Sequence, residues 1–286
     1  MARARYGAGV KATRGAVWIW YRGDLFRGFQ SQLHGGTVQQ AIAGLLTSLG
    51  ARESVIPAGR TDRGVHARMQ VVGVPLLPTT PLDELVAKLE HLAPGALGAV
   101  TAKPAGRSFH PGWSAIRKEY RYRISIGGEL PPSWRGFAWR IREHPRFYGA
   151  APDPLRLAEV LRRFEGAHDF AGFHDKSSPR KVRMVQEGSM RELGGGIFEI
   201  RFAGAGFARF QVRYLVGAAA LVAAGIIPEE NLCASLAEGT PFPGVRAPAE
   251  ALVLWEVAYP PEIDPFSSEE RQRPRGVPDE PPFANA

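Results

Sequence analysis

The sequence is almost free of cysteine, since Cys233 is the single thiol among 286 residues. One cysteine excludes an intramolecular disulfide and any zinc or iron–sulfur site built from several cysteines, and it is typical of a protein from a reducing compartment. The His-Asp pairs at 168–169 and 174–175 do not have the compact spacing of metal ligands. We therefore expect neither a disulfide framework nor a metal site built from these residues.

Long hydrophobic runs are missing as well. The longest apolar stretch, residues 214–227, is shorter than the roughly 20 residues that a membrane-spanning helix needs, and it predicts a buried core helix instead. Residues 1–15 are basic but are not followed by the apolar segment of a secretory signal. The sequence thus predicts a cytoplasmic protein without a membrane span.

Acidic residues are fewer than basic ones, so the chain has a formal net charge of +8 and a pI near 9.9. From Asp264 onward the tail carries five acids and three arginines, so the rest of the chain has a net charge of +10. This excess favours a polyanionic partner such as nucleic acid, although a solvated basic face would give the same count.

Hydrophobic periodicity predicts two successive units of strands and helices. In the first, strands at 16–21, 53–56, 69–74 and 97–102 alternate with helices that begin at Thr37 and Pro81, in the order β-α-β-β-α-β. That order is ferredoxin-like, and a comparable order recurs from residue 115 onward. We therefore predict an α+β fold with two ferredoxin-like (RRM-like) halves, in which one mainly antiparallel sheet has helices on one side and a central active-site cleft. The predicted segments are a flexible basic arm at 1–15, halves at 16–108 and 109–262, and a disordered, proline-rich tail at 263–286.

Asp62 lies between two arginines in the loop sequence Gly59-Arg60-Thr61-Asp62-Arg63-Gly64. An aspartate in a turn often does no more than bond to its own backbone. The arginines, however, lower the pKa of a neighbouring carboxyl, and an ionised carboxylate can attack an electrophilic carbon or form an ion pair. The pattern leaves a structural and a catalytic aspartate both open.

Arg213 and Tyr120 are candidates for the same site. Arg213 begins a helix that is apolar on nearly all sides, so it needs a carboxylate or a phosphate as a partner, and Arg209 lies one turn earlier. Alternation along residues 118–123 predicts that Tyr120 and Tyr122 share one strand face, with the basic side chains opposite. Such aromatic side chains either pack in the core or stack on RNA bases.

Eight motifs in order resemble the tRNA pseudouridine synthase A family over roughly residues 16–262. The strongest is AGRTDRGVHA at 58–67. The others are YRGDLFRGFQSQ (21–32), TVQ (37–39), FHPGWSA (109–115), YRYRI (120–124), HDFAGF (168–173), GFARFQVRYLVG (206–217) and APAEALVL (247–254).

The resemblance implies an enzyme that isomerises uridine to pseudouridine at positions 38 to 40 of the tRNA anticodon stem-loop, as a homodimer and without a cofactor. It implies that Asp62 is the nucleophile, that Arg213 pairs with it, that Tyr120 packs on the target base and that Arg60 holds this base extruded. The remaining substrate-binding residues that it implies are Thr61, Arg63, Val65, His66, Phe207, Arg209 and Gln30. The target uridine has to leave its stack, at a cost of a few kcal/mol, to reach a buried carboxylate.

The chain departs from the family at Arg22, where Asp is usual, at Phe29, where Trp is usual, and at Arg63, where a small residue is common; the segment 180–183 only approximates an arginine-threonine motif. These departures bear on the choice of tRNA and uridine. Two other functions remain open: a noncatalytic or differently targeted RNA-binding paralogue, which does not need Asp62, and a glycosidase, which requires a second acid and releases free base.

Overall fold

The computed structural model describes residues 14–51, 54–76, 81–127, 129–175, 179 and 182–284. The first half consists of strands β1 (Arg14–Tyr21), β2 (Ile56–Pro57), β3 (His66–Pro75) and β4 (Leu97–Ala105), with helices α1 (Val38–Ser48) and α2 (Leu82–Glu90). As its sequence predicts, α1 is capped by Thr37, whose side chain accepts a hydrogen bond from the backbone N–H of Gln40. Strand β3 begins three residues earlier than its apolar pattern indicated.

The second half begins with β5 (Arg117–Ser125), β6 (Trp139–Arg140), helix α3 (Pro154–Arg162), β7 (Gly166–Asp169), β8 (Val182–Gly194) and β9 (Ile197–Gly204). It ends with helices α4 (Gln211–Ala223) and α5 (Glu229–Glu238) and strand β10 (Leu252–Ala258). The short strands β6 and β7 have too few residues to show a periodic pattern, and the sequence did not predict them.

The ten strands of the described ranges form one sheet with the order β4-β1-β3-β10-β5-β9-β8-β7, in which β2 pairs with β3 and β6 with β5. Each half follows the ferredoxin-like order, and the pairing is antiparallel except for β10 with β3 and β5 with β6. The predicted α+β class and mainly antiparallel sheet are therefore confirmed. No helix within the described ranges is long and apolar enough to cross a membrane.

The two halves meet along one edge of β3. The two residues of β2 cover the end of this edge at Val72 and Gly73, which leaves the other end free for β10. There His66 pairs with Val253, and Ala67 pairs with Leu254. Since β10 also pairs with β5, Tyr120 lies opposite Leu254. The loop between β2 and β3, which carries Asp62, therefore opens onto the junction of the halves.

A buried carboxylate organises the sheet face opposite Tyr120 and Tyr122. Glu199 is fully buried and lies 2.9 Å from Arg123, 3.5 Å from Arg121, 2.9 Å from Arg191 and 3.1 Å from Arg201. Arg123 is also fully buried, and its guanidinium lies over the Trp255 ring. These arginines are therefore paired with a carboxylate within the sheet, on the face opposite Tyr120.

The C-terminal segment differs from its expectation of disorder. Residues 263–284 pack against the sheet: Phe266 lies edge-on to Trp18, and Phe283 lies edge-on to Trp20. Helix α6 (Ser268–Gln272) starts with a capping box at Ser267 and Glu270. The physical reason is local, because two phenylalanines in a polar segment cover apolar surface that the rest of the chain leaves open.

Candidate active site

A cleft of about 1250 Å³ opens at the junction of the two halves. Its walls come from five separated parts of the chain, and ten of the eleven predicted site residues line it. These are Gln30, Arg60, Thr61, Asp62, Arg63, Val65, Tyr120, Phe207, Arg209 and Arg213.

Asp62 lies in a tight loop that the neighbouring backbone holds in place. Its carbonyl oxygen accepts a hydrogen bond from the N–H of Val65, and the carbonyl of Thr61 accepts one from Phe29. Gly28 has φ +91, and a Cβ at this position would lie 3.0 Å from the Arg63 nitrogen, so only glycine lets these two segments approach so closely. The side chain of Asp62 remains 27% exposed, which leaves it accessible from the cleft.

The base of this loop is fixed by a buried polar network. The Tyr21 hydroxyl lies 2.7 Å from the Thr61 hydroxyl, and the Gln70 amide donates to the carbonyl of Gly59 at 2.6 Å. Gln70 also accepts hydrogen bonds from the N–H groups of Ala58 and Gly59. The predicted binding residue Thr61 thus lies at the cleft wall with its hydroxyl directed to this network.

Arg213 pairs with Asp62 across the cleft, with 3.8 Å between Nη1 and Oδ2. At that distance the two form an ion pair rather than a short hydrogen bond. The Nε of Arg213 donates to the carbonyl of Ala247 at 2.7 Å, which fixes the guanidinium. Helix α4 therefore presents a positioned cation to the carboxylate.

The pKa of Asp62 is raised above its ordinary value of 3.8 because burial disfavours the charged carboxylate. The positive charges of Arg213, Arg209 and Arg246 act in the opposite direction, in that order of size, while the negative charge of Asp175 raises the pKa further. The arginines thus lower the cost of keeping a half-buried carboxylate ionised.

The ring of Phe210 contacts all three of these arginines. The guanidinium carbons of Arg209, Arg213 and Arg246 lie 4.6, 5.5 and 4.3 Å from the centre of its ring. Phe210 has φ +64, a left-handed conformation that is costly for a residue with a side chain, at the position before α4. The aromatic face favours cations beside it and so offsets part of their mutual repulsion.

Tyr120 lies beside the loop that carries Asp62. Its ring is edge-on to Phe207, with 5.5 Å between the ring centres, and both residues line the cleft. Burial raises the pKa of Tyr120 far above 10, and the charges of Tyr21 and Asp62 raise it further, so the phenol stays neutral. Lys118 lies on the same strand face as Tyr120, since both approach Gly59, whereas its charge had suggested the opposite face.

Comparison with known proteins shows which family this chain is similar to. A family model described as tRNA pseudouridine synthase matches residues 160–260. The chain is 33% identical to tRNA pseudouridine synthase A of Roseiflexus sp. (strain RS-1), over 92% of this chain and 96% of that protein. It is also 33% identical to the enzyme of that name from Thermus thermophilus, over 85% of this chain and 95% of that protein. The chain belongs to the tRNA pseudouridine synthase A family.

Membership of this family makes the protein an isomerase that forms pseudouridine in tRNA. The resemblance recognised from eight sequence motifs is confirmed, and an enzyme is favoured over a noncatalytic RNA-binding protein.

One of the predicted binding residues, His66, lies elsewhere. It is fully buried outside the cleft wall, where Nδ1 accepts a hydrogen bond from the N–H of Gly23 and Nε2 bonds to the carbonyl of Glu250. Nε2 therefore carries the proton, and burial lowers the pKa of His66 to about 4. The histidine of the AGRTDRGVHA motif joins two backbone segments and does not face a substrate.

The cleft also contains functional groups that were not predicted, among them Arg246, Phe210 and Glu250. Arg246 directly precedes the motif APAEALVL, and Phe210 lies within GFARFQVRYLVG, so both positions were within or beside recognised segments. Glu250 supplies a second carboxylate at the cleft, which the sequence had not indicated near Asp62.

The residues that depart from the family pattern lie in different environments. Arg22 is paired with Asp24 at 2.7 Å, so its charge is compensated within the chain. Phe29 is fully buried in the first half, and Arg63 is exposed at the cleft. Lys181 lies outside the described residues.

Proposed function

We propose that Asp62 is the nucleophile of the pseudouridine synthase reaction and that the target uridine enters the cleft extruded from its stack. The observation that carries this proposal is the ion pair of Asp62 with Arg213 at the base of a cleft that five further arginines line. A half-buried carboxylate without a proton is a suitable nucleophile, and arginines at the cleft complement the phosphates of an extruded nucleotide.

The carboxylate of Asp62 attacks either C1′ of the ribose or C6 of the uracil ring. The bond between C1′ and N1 breaks, the base turns, and C5 bonds to C1′. The ester bond that Asp62 formed with C1′ or C6 then breaks, which returns the free carboxylate. The proton lost from C5 and the proton gained at N1 balance, so the step needs no oxidant or reductant. Tyr120, with its neutral ring beside Asp62, supports the plane of the base during this rotation. Arg60 holds the base extruded, and Arg209 binds the flanking backbone.

Pseudouridine formation is distinguished from glycosidic cleavage by its product. A glycosidase with Asp62 and Glu250 as its pair of acids would release free uracil. The isomerase returns the base to the same ribose, so tritium leaves C5 while no base leaves the RNA.

The decisive experiment measures tritium release from tRNA labelled at C5 of uracil. We expect Asp62→Ala and Asp62→Asn to abolish the release, while both variants bind tRNA with an affinity close to that of the unmodified enzyme. Unchanged release from either folded variant would remove Asp62 from the chemistry.

We further propose that the targets are uridines 38 to 40 of the anticodon stem-loop, that the enzyme acts in the cytoplasm and that it is a homodimer in which one tRNA spans both subunits. The relatives' name supports the substrate class, and the basic cleft supports a nucleic acid partner. Mapping of pseudouridines in tRNA from cells with and without the gene tests the position. Sedimentation with and without tRNA tests the dimer, and a monomeric complex of full activity would contradict it.

A further inference from the structure

Trp113 is the exposed member of the six tryptophans of this chain. Its relative exposure is 88%, whereas Trp18, Trp20, Trp134, Trp139 and Trp255 are each at most 9% exposed. One face of the indole stacks on His110, with 4.1 Å between ring centres and an angle of 10° between the planes. Exposing so large an apolar ring to water is unfavourable, so the open face of this pair is suited to a partner.

The two rings have a rigid support. Nδ1 of His110 accepts hydrogen bonds from the N–H groups of Gly112 and Trp113, both at 3.1 Å. Between them in sequence, the carbonyl of Pro111 accepts a hydrogen bond from the buried Tyr259 hydroxyl at 2.9 Å. The turn at 110–113 is therefore tied to the sheet, and its hydrogen bonds orient the imidazole on which Trp113 stacks.

This turn lies against the start of the loop that carries Asp62. A Cβ on Gly112 would lie 3.2 Å from the carbonyl oxygen of Ala58 and 3.4 Å from that of Pro57. The amine of Lys118 lies 3.9 Å from the corresponding point on Gly59, on the same side as the Tyr120 hydroxyl. The stacked pair and a lysine thus flank the first residues of the catalytic loop.

The surroundings of the pair are basic. Partial burial lowers the pKa of His110, and the nearby positive charges of Arg14 and Lys118 lower it further. The ring is neutral because its Nδ1 accepts two N–H groups. A flat neutral platform beside cations fits a nucleotide, whose base stacks and whose phosphate is negative. A second protein chain would need a wider apolar surface than this pair offers.

We propose that Trp113, supported by His110, is a stacking subsite for an unpaired nucleotide next to the target uridine, and that Arg14, which lies with Pro111 against Gly73, attracts its phosphate. This inference rests on the proposed function in that the ligand is the tRNA substrate. It adds a binding element outside the cleft, which would hold the RNA in register while the target base is extruded.

Acrylamide quenching of tryptophan fluorescence tests the contact directly, since Trp113 is the exposed indole. We expect tRNA to protect this accessible emission in the unmodified enzyme. Trp113→Phe should remove the quenchable component and so identify it. If saturating tRNA leaves the quenching unchanged, the proposal is overturned. Protection that appears on raising the protein concentration without RNA would also overturn it and assign the surface to a second copy.

Steady-state kinetics supply the second test. Trp113→Ala should raise the KM for tRNA by about tenfold, with kcat within about twofold, while Trp113→Phe keeps most of the affinity because its ring can still stack. Tyr148→Ala is the matched control, because Tyr148 is 92% exposed and its loss should change neither parameter. Circular dichroism melting confirms that each variant is folded, and an unchanged KM in folded Trp113→Ala would contradict the subsite.

The two proposals fail separately. If Asp62→Asn retained tritium release but tRNA still protected Trp113, the nucleophile assignment would be wrong and the stacking subsite would stand. If Asp62→Asn lost activity and tRNA did not protect Trp113, the stacking subsite would be wrong and the nucleophile assignment would stand.

Discussion

The guanidinium of Arg213 lies 3.8 Å from the carboxylate of Asp62, and its other side is bonded to the carbonyl of Ala247. The first contact joins α4 to the loop that carries Asp62, and the second joins α4 to the segment before β10. Three parts of the chain that are far apart in sequence thus meet at one charge pair. Since the two halves of the sheet also meet there, the geometry of the site depends on how the halves pack.

The pH dependence of catalysis follows from the raised pKa of Asp62. Because the carboxylate has to be ionised to attack, activity is lost as the pH falls through this pKa, which burial places above 3.8. Arg209→Gln removes a charge that lowers the pKa, so its acid limb should lie at higher pH than that of the unmodified enzyme. Single-turnover rates with saturating enzyme, measured from pH 4 to 8, locate the acid limb of the unmodified enzyme and of the variant. Arg140→Gln, which removes an exposed arginine paired with Glu143, should leave the limb in place; an unmoved limb in Arg209→Gln would refute the electrostatic account.

Asp62→Asn should stabilise the protein while it abolishes activity. Burial disfavours the ionised carboxylate in the folded state, so this aspartate lowers the stability at neutral pH. This loss of stability is absent below pH 3.8, where the carboxyl is protonated in the folded and the unfolded protein. It reaches its full size above the raised pKa. The difference in Tm between Asp62→Asn and the unmodified protein should therefore grow as the pH rises from 4 to 7. A variant that melts lower at pH 7 would show that the pairing with Arg213 outweighs the cost of burial.

Phe210 has two roles that substitution can separate. Its ring lies beside three arginines, and its backbone is left-handed, with φ +64. Phe210→Ala and Phe210→Gly both remove the ring, so each should lower kcat/KM by roughly tenfold, in line with cation–π contacts of about 1 to 2 kcal/mol. Glycine adopts the left-handed conformation without strain, so Phe210→Gly should melt above Phe210→Ala. Equal Tm values for the two variants would mean that the backbone of Phe210 is not strained.

Much of this site could be predicted from sequence because its chemistry lies in short motifs. An apolar helix that contains Arg213 requires a carboxylate or a phosphate as a partner, and the family resemblance implied that this partner is Asp62. The role of Phe210 could not be predicted, since it depends on a left-handed backbone angle and on Arg246, which follows it by 36 positions. His66 was placed wrongly because a motif does not reveal which of its side chains turn into the core.

The C-terminal segment shows a limit of composition as a guide. Proline and charge dominate residues 263–286, and averaged over this length they predict disorder. The packing depends instead on single residues. Phe266 and Phe283 are each at most 5% exposed, and Arg271 bonds to the carbonyl of Val257 and to Asp264. Such contacts are decided by what the sheet leaves uncovered, which no local window of sequence contains.

Removal of the Phe283 ring tests whether this segment stabilises the fold. The ring packs with Trp20, Val253 and Trp255, on strands of both halves, and lies edge-on to His66. Phe283→Ala should lower the free energy of unfolding by about 3 kcal/mol, the usual cost of a deleted buried phenylalanine, whereas Phe283→Leu should cost much less because it fills most of the space. Urea titration measures both. Since His66 joins Gly23 to Glu250 beneath the cleft, Phe283→Ala should also reduce kcat/KM for tRNA. A variant with unchanged stability would show that the packing of this segment against the sheet does not stabilise the fold.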